Sequence, residues 1–462
     1  MRSILYDTIM PLSVSKKSLL FIIPFFLLFF SFYNNLWKVA PQERYEQFEP
    51  YGEAHIVGKL ARADKEGVFY RSGFLGVNYD KGSYSVDFED DSKNRENRPY
   101  IDINYDMYLD QLAYYTGKKD LTDGYYPYLS FIGGQGIVYS SLSQISPFDK
   151  DTNYILFRVI NCALLAFCLL LFFSWVYRNF GLMAATITFI LTFLSQWIIL
   201  FCGNGLWWAL WSFFLPFIVP LLLLEKQHKN PNGTSDMKIF LSITFAIFLK
   251  CFFTGFEFIT TTLCIAFCPI IYYHILRQST IKEFILFTFK AGIAIIGGLL
   301  IYMLVYILQL SSLFGDLCKG IEYLIDSYST RTEFSDDSFV GNIIYILATY
   351  FGGESFSWGF LQFGFKFKFI YTLAIIASFG IIVYFLTRNI ENRKYKALLT
   401  ASLISLMCPL SWYLIFRQHA TWHVHLDYIV WYMPTLLFGF AIVGVGVSLI
   451  VKRLKNNDRK II

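Results

Sequence analysis

The chain has 462 residues, 55% hydrophobic, 20% aromatic and only 16% charged, with a mean hydropathy of +0.47. Charge runs near a quarter of residues in soluble domains, and the apolar excess here gathers in blocks of roughly 20, the length at which a helix crosses about 30 Å of hydrocarbon, so a disordered chain, a secreted disulfide scaffold and a soluble Rossmann or barrel enzyme are excluded. The net charge of +5 is modest and its basic part falls in short connections, which argues for membrane orientation and against a nucleic-acid partner.

In chain order, the first apolar block is 18–37. Lys16 and Lys17 in front of it resemble a signal-peptide n-region, but the block runs into Tyr33, Asn34, Asn35 and Trp37 and Pro41 follows Ala40, so a retained anchor is expected. A loop at 38–153 comes next and is the nearest thing to a separate domain. Within it, helices are expected over Ala54 to Lys65 and Tyr105 to Tyr115, and the apolar stretch 125–146 is expected along the membrane surface. The charge run Asp87 to Arg98 reads as a loop tip.

Further spans are expected at 154–177, 182–202, 205–224, 238–253, 257–275 and 284–310, followed by a second loop at 311–367. The last spans are expected at 368–387, 396–416 and 428–451, with a basic tail at 452–462. The run 238–275 is flanked by basic residues on both sides and therefore crosses twice, with Gly255 permitting the turn. Every second connection is basic (Arg178; Lys226, Lys229 and Lys238; Arg277 and Lys282; Arg388, Arg393, Lys394 and Lys396), which predicts both termini in the cytoplasm. The sequon Asn232-Gly233-Thr234 then faces the cytoplasm and reads as a turn. The expected fold is an all-α polytopic membrane protein of about ten transmembrane helices with a large first extracytoplasmic loop. Seven of the eight cysteines lie in or beside apolar blocks and read as packing residues; Cys318 lies in a polar stretch.

The loop after the first span opens with Gly52-Glu53-Ala54-His55-Ile56-Val57-Gly58-Lys59-Leu60. Farther on come Tyr126-Pro127-Tyr128-Leu129, Gly133-Gly134-Gln135-Gly136, Arg158 at the second span, and Asn204-Gly205-Leu206-Trp207-Trp208-Ala209-Leu210-Trp211. Taken in this order, over roughly residues 18–275, these pieces resemble the GT-C glycosyltransferases, integral-membrane enzymes that use lipid-linked sugar donors. The resemblance implies a bacterial inner-membrane enzyme that moves a sugar from a polyprenyl-phosphate carrier to an extracytoplasmic glycan, lipid or protein, with Glu53, accompanied by His55, in the catalytic role. It departs in one respect: many members carry Asp-Glu at the head of the loop helix, where this chain has Gly52-Glu53.

Transfer to a sugar hydroxyl needs a base beside the attacking oxygen, and an inverting displacement needs no second carboxylate. Glu53 suits that role, or else it caps its helix, where an acid is favoured by roughly 0.3–1 kcal/mol. Asp102 and Asp106, in line with Asp110 on one helix face, are second choices against a reading as a solvated face. A donor phosphate needs cationic hydrogen-bond donors; Arg417, His419, His423 and His425 in the last outer turn, and Lys250 beside an earlier one, are the candidates. The bland alternatives are interfacial packing, zinc for the histidines, and a Lys250–Glu257 ion pair. Trp422 and Trp358 are candidates for sugar stacking, against a role in the interfacial belt. No cofactor is indicated, and a divalent cation on Glu89-Asp90-Asp91 is the weakest of these readings. A polysaccharide polymerase or ligase, or a transporter of lipid-linked glycans, is the alternative function.

Overall fold

The computed structural model describes residues 14–79, 100–332, 339–356 and 367–458. The chain opens with α1 (Val14–Asn34), α2 (Gln42–Glu46), α3 (Pro50–Glu66), strand β1 (Leu75–Tyr79), α4 (Tyr100–Tyr115), strand β2 (Gly124–Tyr128) and α5 (Gly134–Ile145). Then follow α6 (Lys150–Phe180), α7 (Leu182–Phe193), α8 (Gln196–Gly203), α9 (Gly205–Trp208), α10 (Trp211–Lys229), α11 (Asp236–Thr254), α12 (Ile259–Ile265), α13 (Phe267–Arg277) and α14 (Ile281–Phe314). The last third holds α15 (Leu317–Thr332), α16 (Phe339–Gly352), the short pair β3 (Glu354–Phe356) and β4 (Phe367–Lys368), α17 (Phe369–Thr387), α18 (Lys394–Ser405), α19 (Met407–Ile415), α20 (Arg417–Trp422) and α21 (Thr435–Asp458).

This is a multi-pass membrane protein. Among the described residues, seven helices or helix pairs are long and apolar enough to cross a bilayer, and the pair α7–α8, bent by 51°, makes an eighth if it is one span. Each apolar block of the sequence falls on a helix or a broken run of helices. Two fall short of a full span by length and composition: the described apolar part of α1 is only Phe21–Asn34, and α10 carries Pro216 and Pro220 and ends in Glu225, Lys226 and Lys229. The turn expected at Gly255 is there, with a φ of 57° that suits glycine. Asn232 lies in a single 3₁₀ turn, Pro231–Gly233. Cys318 is exposed, while the other seven cysteines are buried or half-buried.

The segment between α1 and α6 folds around α3, whose residues Gly52 to Ala63 are all buried. A helix covered on every side is unusual for a loop. The cover comes from α4, α5 and the antiparallel ribbon β1–β2. Gly58 brings α3 against the Gly76 carbonyl of β1, an approach that leaves no room for a Cβ. Arg62 then ties helix to ribbon, donating from Nε to Asn78 Oδ1 at 2.9 Å and from one terminal nitrogen to the Thr122 and Gly124 carbonyls at 2.8 and 2.7 Å. The stretch 125–146 holds the end of strand β2 and helix α5, packed into this unit where Gly134 and Gly136 let α5 settle on Phe252 and Leu75. α3 starts four residues before the expected Ala54, and α4 five before the expected Tyr105.

Hydrogen bonds fasten this unit to the bundle. Gln309 of α14 donates to the Ser72 and Ile132 carbonyls, and Gln135 donates to the Trp207 carbonyl at 3.0 Å. At other helix ends, Glu225 is held by Arg178 at 2.5 Å and Lys229 at 2.6 Å, and Lys394 donates to the Asn179 carbonyl.

Candidate active site

Glu53 sits in the first turn of α3, and its side chain is almost completely buried. Its carboxylate accepts from the Trp207 backbone N–H at Oε2 and from the Tyr154 hydroxyl at Oε1, both at 3.2 Å, and Tyr154 in turn lies 2.8 Å from the Tyr108 hydroxyl. Burial pushes its pKa up from the ordinary 4.5 to about 7; the Arg158 guanidinium and the donors from Trp207, Tyr154 and Leu206 limit the rise. The carboxylate lines a cavity of about 210 Å³ together with Tyr45, Tyr105, Tyr108, Tyr154 and Arg158.

Three separate elements converge on that cavity. α2 supplies Tyr45, α4 supplies Tyr105 and Tyr108 one turn apart, and α6 supplies Tyr154 and Arg158 at i, i+4. The Tyr45 hydroxyl is fixed by the Phe32 and Tyr33 carbonyls at 2.7 and 2.8 Å, and the Arg158 guanidinium lies 5.6 Å from the Tyr33 ring. Gly52 precedes Glu53 for a steric reason: a Cβ there would meet the Trp207 indole at 2.5 Å.

The remaining sequence candidates divide. His55 is buried on another side of α3, its Nδ1 donating to the Tyr51 carbonyl at 2.8 Å and its ring packed on Tyr51 and Tyr128 at 4.5 and 4.8 Å. Burial lowers its pKa to about 4, so it is neutral near pH 7, and it does not line the Glu53 cavity. Asp106 is exposed on α4; Tyr105 and Tyr108 of the same helix face the cavity instead. The Asp102 side chain, Trp358 and the Glu89-Asp90-Asp91 run lie outside the described residues.

Lys250 does not form the anticipated ion pair with the Glu257 carboxylate. Its fully buried ammonium donates to the Gly255 carbonyl at 3.0 Å and to the Glu257 carbonyl, because those turn carbonyls lie beside it and satisfy a buried cation. The Glu257 carboxylate lies 3.8 Å from His419 Nε2, and the His423 ring is 4.8 Å from that of His419. Burial, with His419 next, lowers the His423 pKa. Arg417 is buried at the start of α20. None of Lys250, Arg417, His419 and His423 lines the Glu53 cavity. Among the described residues no group of three or more His, Cys, Asp or Glu is arranged to hold a metal ion.

His425 and Trp422 line a second, larger cavity of about 770 Å³. Both cavities border the α2 segment, with Pro41 and Arg44 lining the larger and Tyr45 and Glu46 the smaller. Glu49 links them: its carboxylate meets His425 Nε2 at 2.8 Å, and its carbonyl accepts from the side-chain amide of Asn204, which lines the smaller cavity. The tyrosines around Glu53, and Arg44 with Trp197 in the larger cavity, were not singled out in the sequence. Only the i, i+4 pair Tyr154/Arg158 carries a local signal there. No family model matches this chain, and no match is found among curated proteins or solved structures.

Proposed function

We propose that the chain is a membrane glycosyltransferase of the GT-C type that moves a sugar from a polyprenyl-phosphate carrier to an extracytoplasmic acceptor, with inversion and with Glu53 as base. The observation that carries this reading is a buried carboxylate with a pKa near 7 in a tyrosine-lined cavity that also holds a guanidinium, in a chain of apolar helices. A base poised near neutrality combines a useful ionised fraction with real proton affinity.

In the proposed step the acceptor hydroxyl attacks the anomeric carbon, a new C–O bond forms as the C–O bond to phosphate breaks, the proton passes to Glu53, and the electron pair leaves on the phosphate. Tyr154 and the Trp207 N–H orient the carboxylate. Arg158 shares the cavity with Glu53, which places it ahead of Arg417, His419 and His423 as the group that receives the leaving phosphate. The proposal includes about ten spans with both termini cytoplasmic, in a bacterial inner membrane, so that the cavity opens on the outer side.

The test is transfer by purified protein in nanodiscs from a panel of radiolabelled polyprenyl-phosphate sugars. Glu53→Gln keeps the shape and loses the basicity, so transfer is expected to disappear while donor binding persists. A Glu53→Gln protein with normal transfer overturns the reading.

A further inference from the structure

We infer that the larger cavity binds an acidic saccharide, a short run of sugars bearing carboxylate or phosphate groups, and that this is the acceptor; the acceptor role rests on the glycosyltransferase reading, while the binding itself does not. Its volume of about 770 Å³ falls within the roughly 300–1,000 Å³ range of sites that enclose small ligands.

The charge on its wall selects an anion. Arg44 and Lys368 supply a guanidinium and an ammonium there, against one lining carboxylate, Glu354, while the His425 imidazole is already paired with Glu49. Among the described residues, neither the Arg44 guanidinium nor the Lys368 ammonium forms a hydrogen bond or ion pair, so their donors are unspent. Arg44 is nonetheless held in place. Its guanidinium lies 4.6 Å from the centre of the Trp197 ring, and Trp197 stacks on Tyr428 at 3.9 Å with 16° between the planes. The indole is locked from behind by its N–H, which donates to the Glu354 carbonyl at 2.7 Å. A preorganised guanidinium offers a paired contact to carboxylate or phosphate with little entropy left to lose.

The aromatic rim selects a sugar. Trp422 and Tyr345 keep 52% and 56% of their surface exposed at the cavity, an arrangement suited to the apolar C–H faces of pyranose rings. An acidic peptide would use the cations but gains less from flat exposed rings. The position also fits an acceptor: residues of the segment 41–46 line both this cavity and the one that holds Glu53, and the His425–Glu49–Asn204 link runs from one to the other.

Binding to the full-length protein in uncharged nanodiscs tests this by calorimetry, with trigalacturonate and a phosphorylated mannotriose as probes and maltotriose, tetraglutamate and inorganic phosphate as controls. At least one acidic trisaccharide is expected to bind at least about tenfold more tightly than maltotriose and than either charged control, with an affinity that falls as salt rises. Arg44→Gln should weaken it about ten- to a hundredfold and flatten the salt dependence, with Arg44→Lys recovering part of the loss. Trp422→Ala should weaken binding while leaving the salt dependence intact. Failure of both acidic trisaccharides to bind, equal binding of maltotriose or tetraglutamate, or an unchanged Arg44→Gln protein each overturns the inference. Glu53→Gln separates the two proposals: if it abolishes transfer and the acidic trisaccharides do not bind, the cavity assignment fails alone, and if they bind and Glu53→Gln still transfers, the enzyme reading fails alone.

Discussion

At Glu53 two opposing forces meet within one side chain. Burial disfavours its charge, whereas Arg158 and the donors from Trp207, Tyr154 and Leu206 favour it, and the balance leaves the carboxyl titrating at about 7. A base works ionised, so transfer should rise about tenfold per pH unit below 7 and level off above it, measurable as a pH–rate profile at saturating donor. The same shift predicts a stability effect. The folded state holds a proton that the unfolded chain releases near 4.5, so the stabilisation is full below pH 4.5 and is lost as pH rises to about 7, to an extent on the order of 3 kcal/mol. Thermal unfolding at pH 5 and pH 8 should show this slope in the wild type and its disappearance in Glu53→Gln. His55 behaves oppositely: its pKa of about 4 lies below the ordinary 6.5, so its share of stability is present at neutral pH and is lost as pH falls from 6.5 towards 4. Arg158→Gln removes the charge that restrains Glu53, and the midpoint of the rate profile should move above 7, with donor binding weakened about ten- to a hundredfold. An unchanged midpoint would mean that the guanidinium does not act on the carboxylate.

At the scale of the element, α3 depends on a residue with no side chain. Gly52 lies against the Trp207 indole, and the backbone N–H of Trp207 holds Glu53, so the close contact and the orientation of the proposed base share one residue. Gly52→Ala forces the indole to move and should cost about 1–3 kcal/mol, read as a lowered unfolding midpoint, together with a loss of transfer. Gly52→Asp, which restores the Asp-Glu pair common in the resembled family, should be more damaging still, because the second carboxylate would be driven into an aromatic ring. This gives a steric reason for the single carboxylate. Glu49, just before α3, has a φ of 52° in the left-handed region, disfavoured for any residue with a Cβ, and Asn204 on its carbonyl and His425 on its carboxylate hold it there.

Across the whole molecule, the packed unit between α1 and α6 is tied to α9 by Gln135 to Trp207 and to the 417–427 turn by His425 to Glu49, and that turn meets the one at Gly255 through His419 and Glu257. Helix ends elsewhere carry Arg178, Lys229 and Lys394 in contacts with Glu225 and Asn179. If the basic ends are cytoplasmic, a single cysteine introduced at 90 should react with a membrane-impermeant maleimide in intact cells, whereas cysteines at 230 and 392 should react only after permeabilisation. Reaction at 230 from outside would reverse the sidedness and place both cavities in the cytoplasm.

Hydropathy and charge made the membrane class, the positions of the apolar blocks and the turn at Gly255 legible in the sequence, because each depends on properties that a residue carries wherever it folds. Glu53 was legible as a candidate by the same token, as an acid at a helix start. Its surroundings were not. The tyrosines around it come from α2, α4 and α6, and no periodicity in any one helix marks which of the chain's 32 tyrosines will meet. Lys250 and His55 show the converse: both carry the right chemistry at a plausible depth, but neighbouring carbonyls, one pair at a turn and one within α3, take their donors. Tertiary packing decided these cases because burial, close approach and the pairing of polar groups depend on the distances between segments far apart in the chain, and local sequence does not encode those distances.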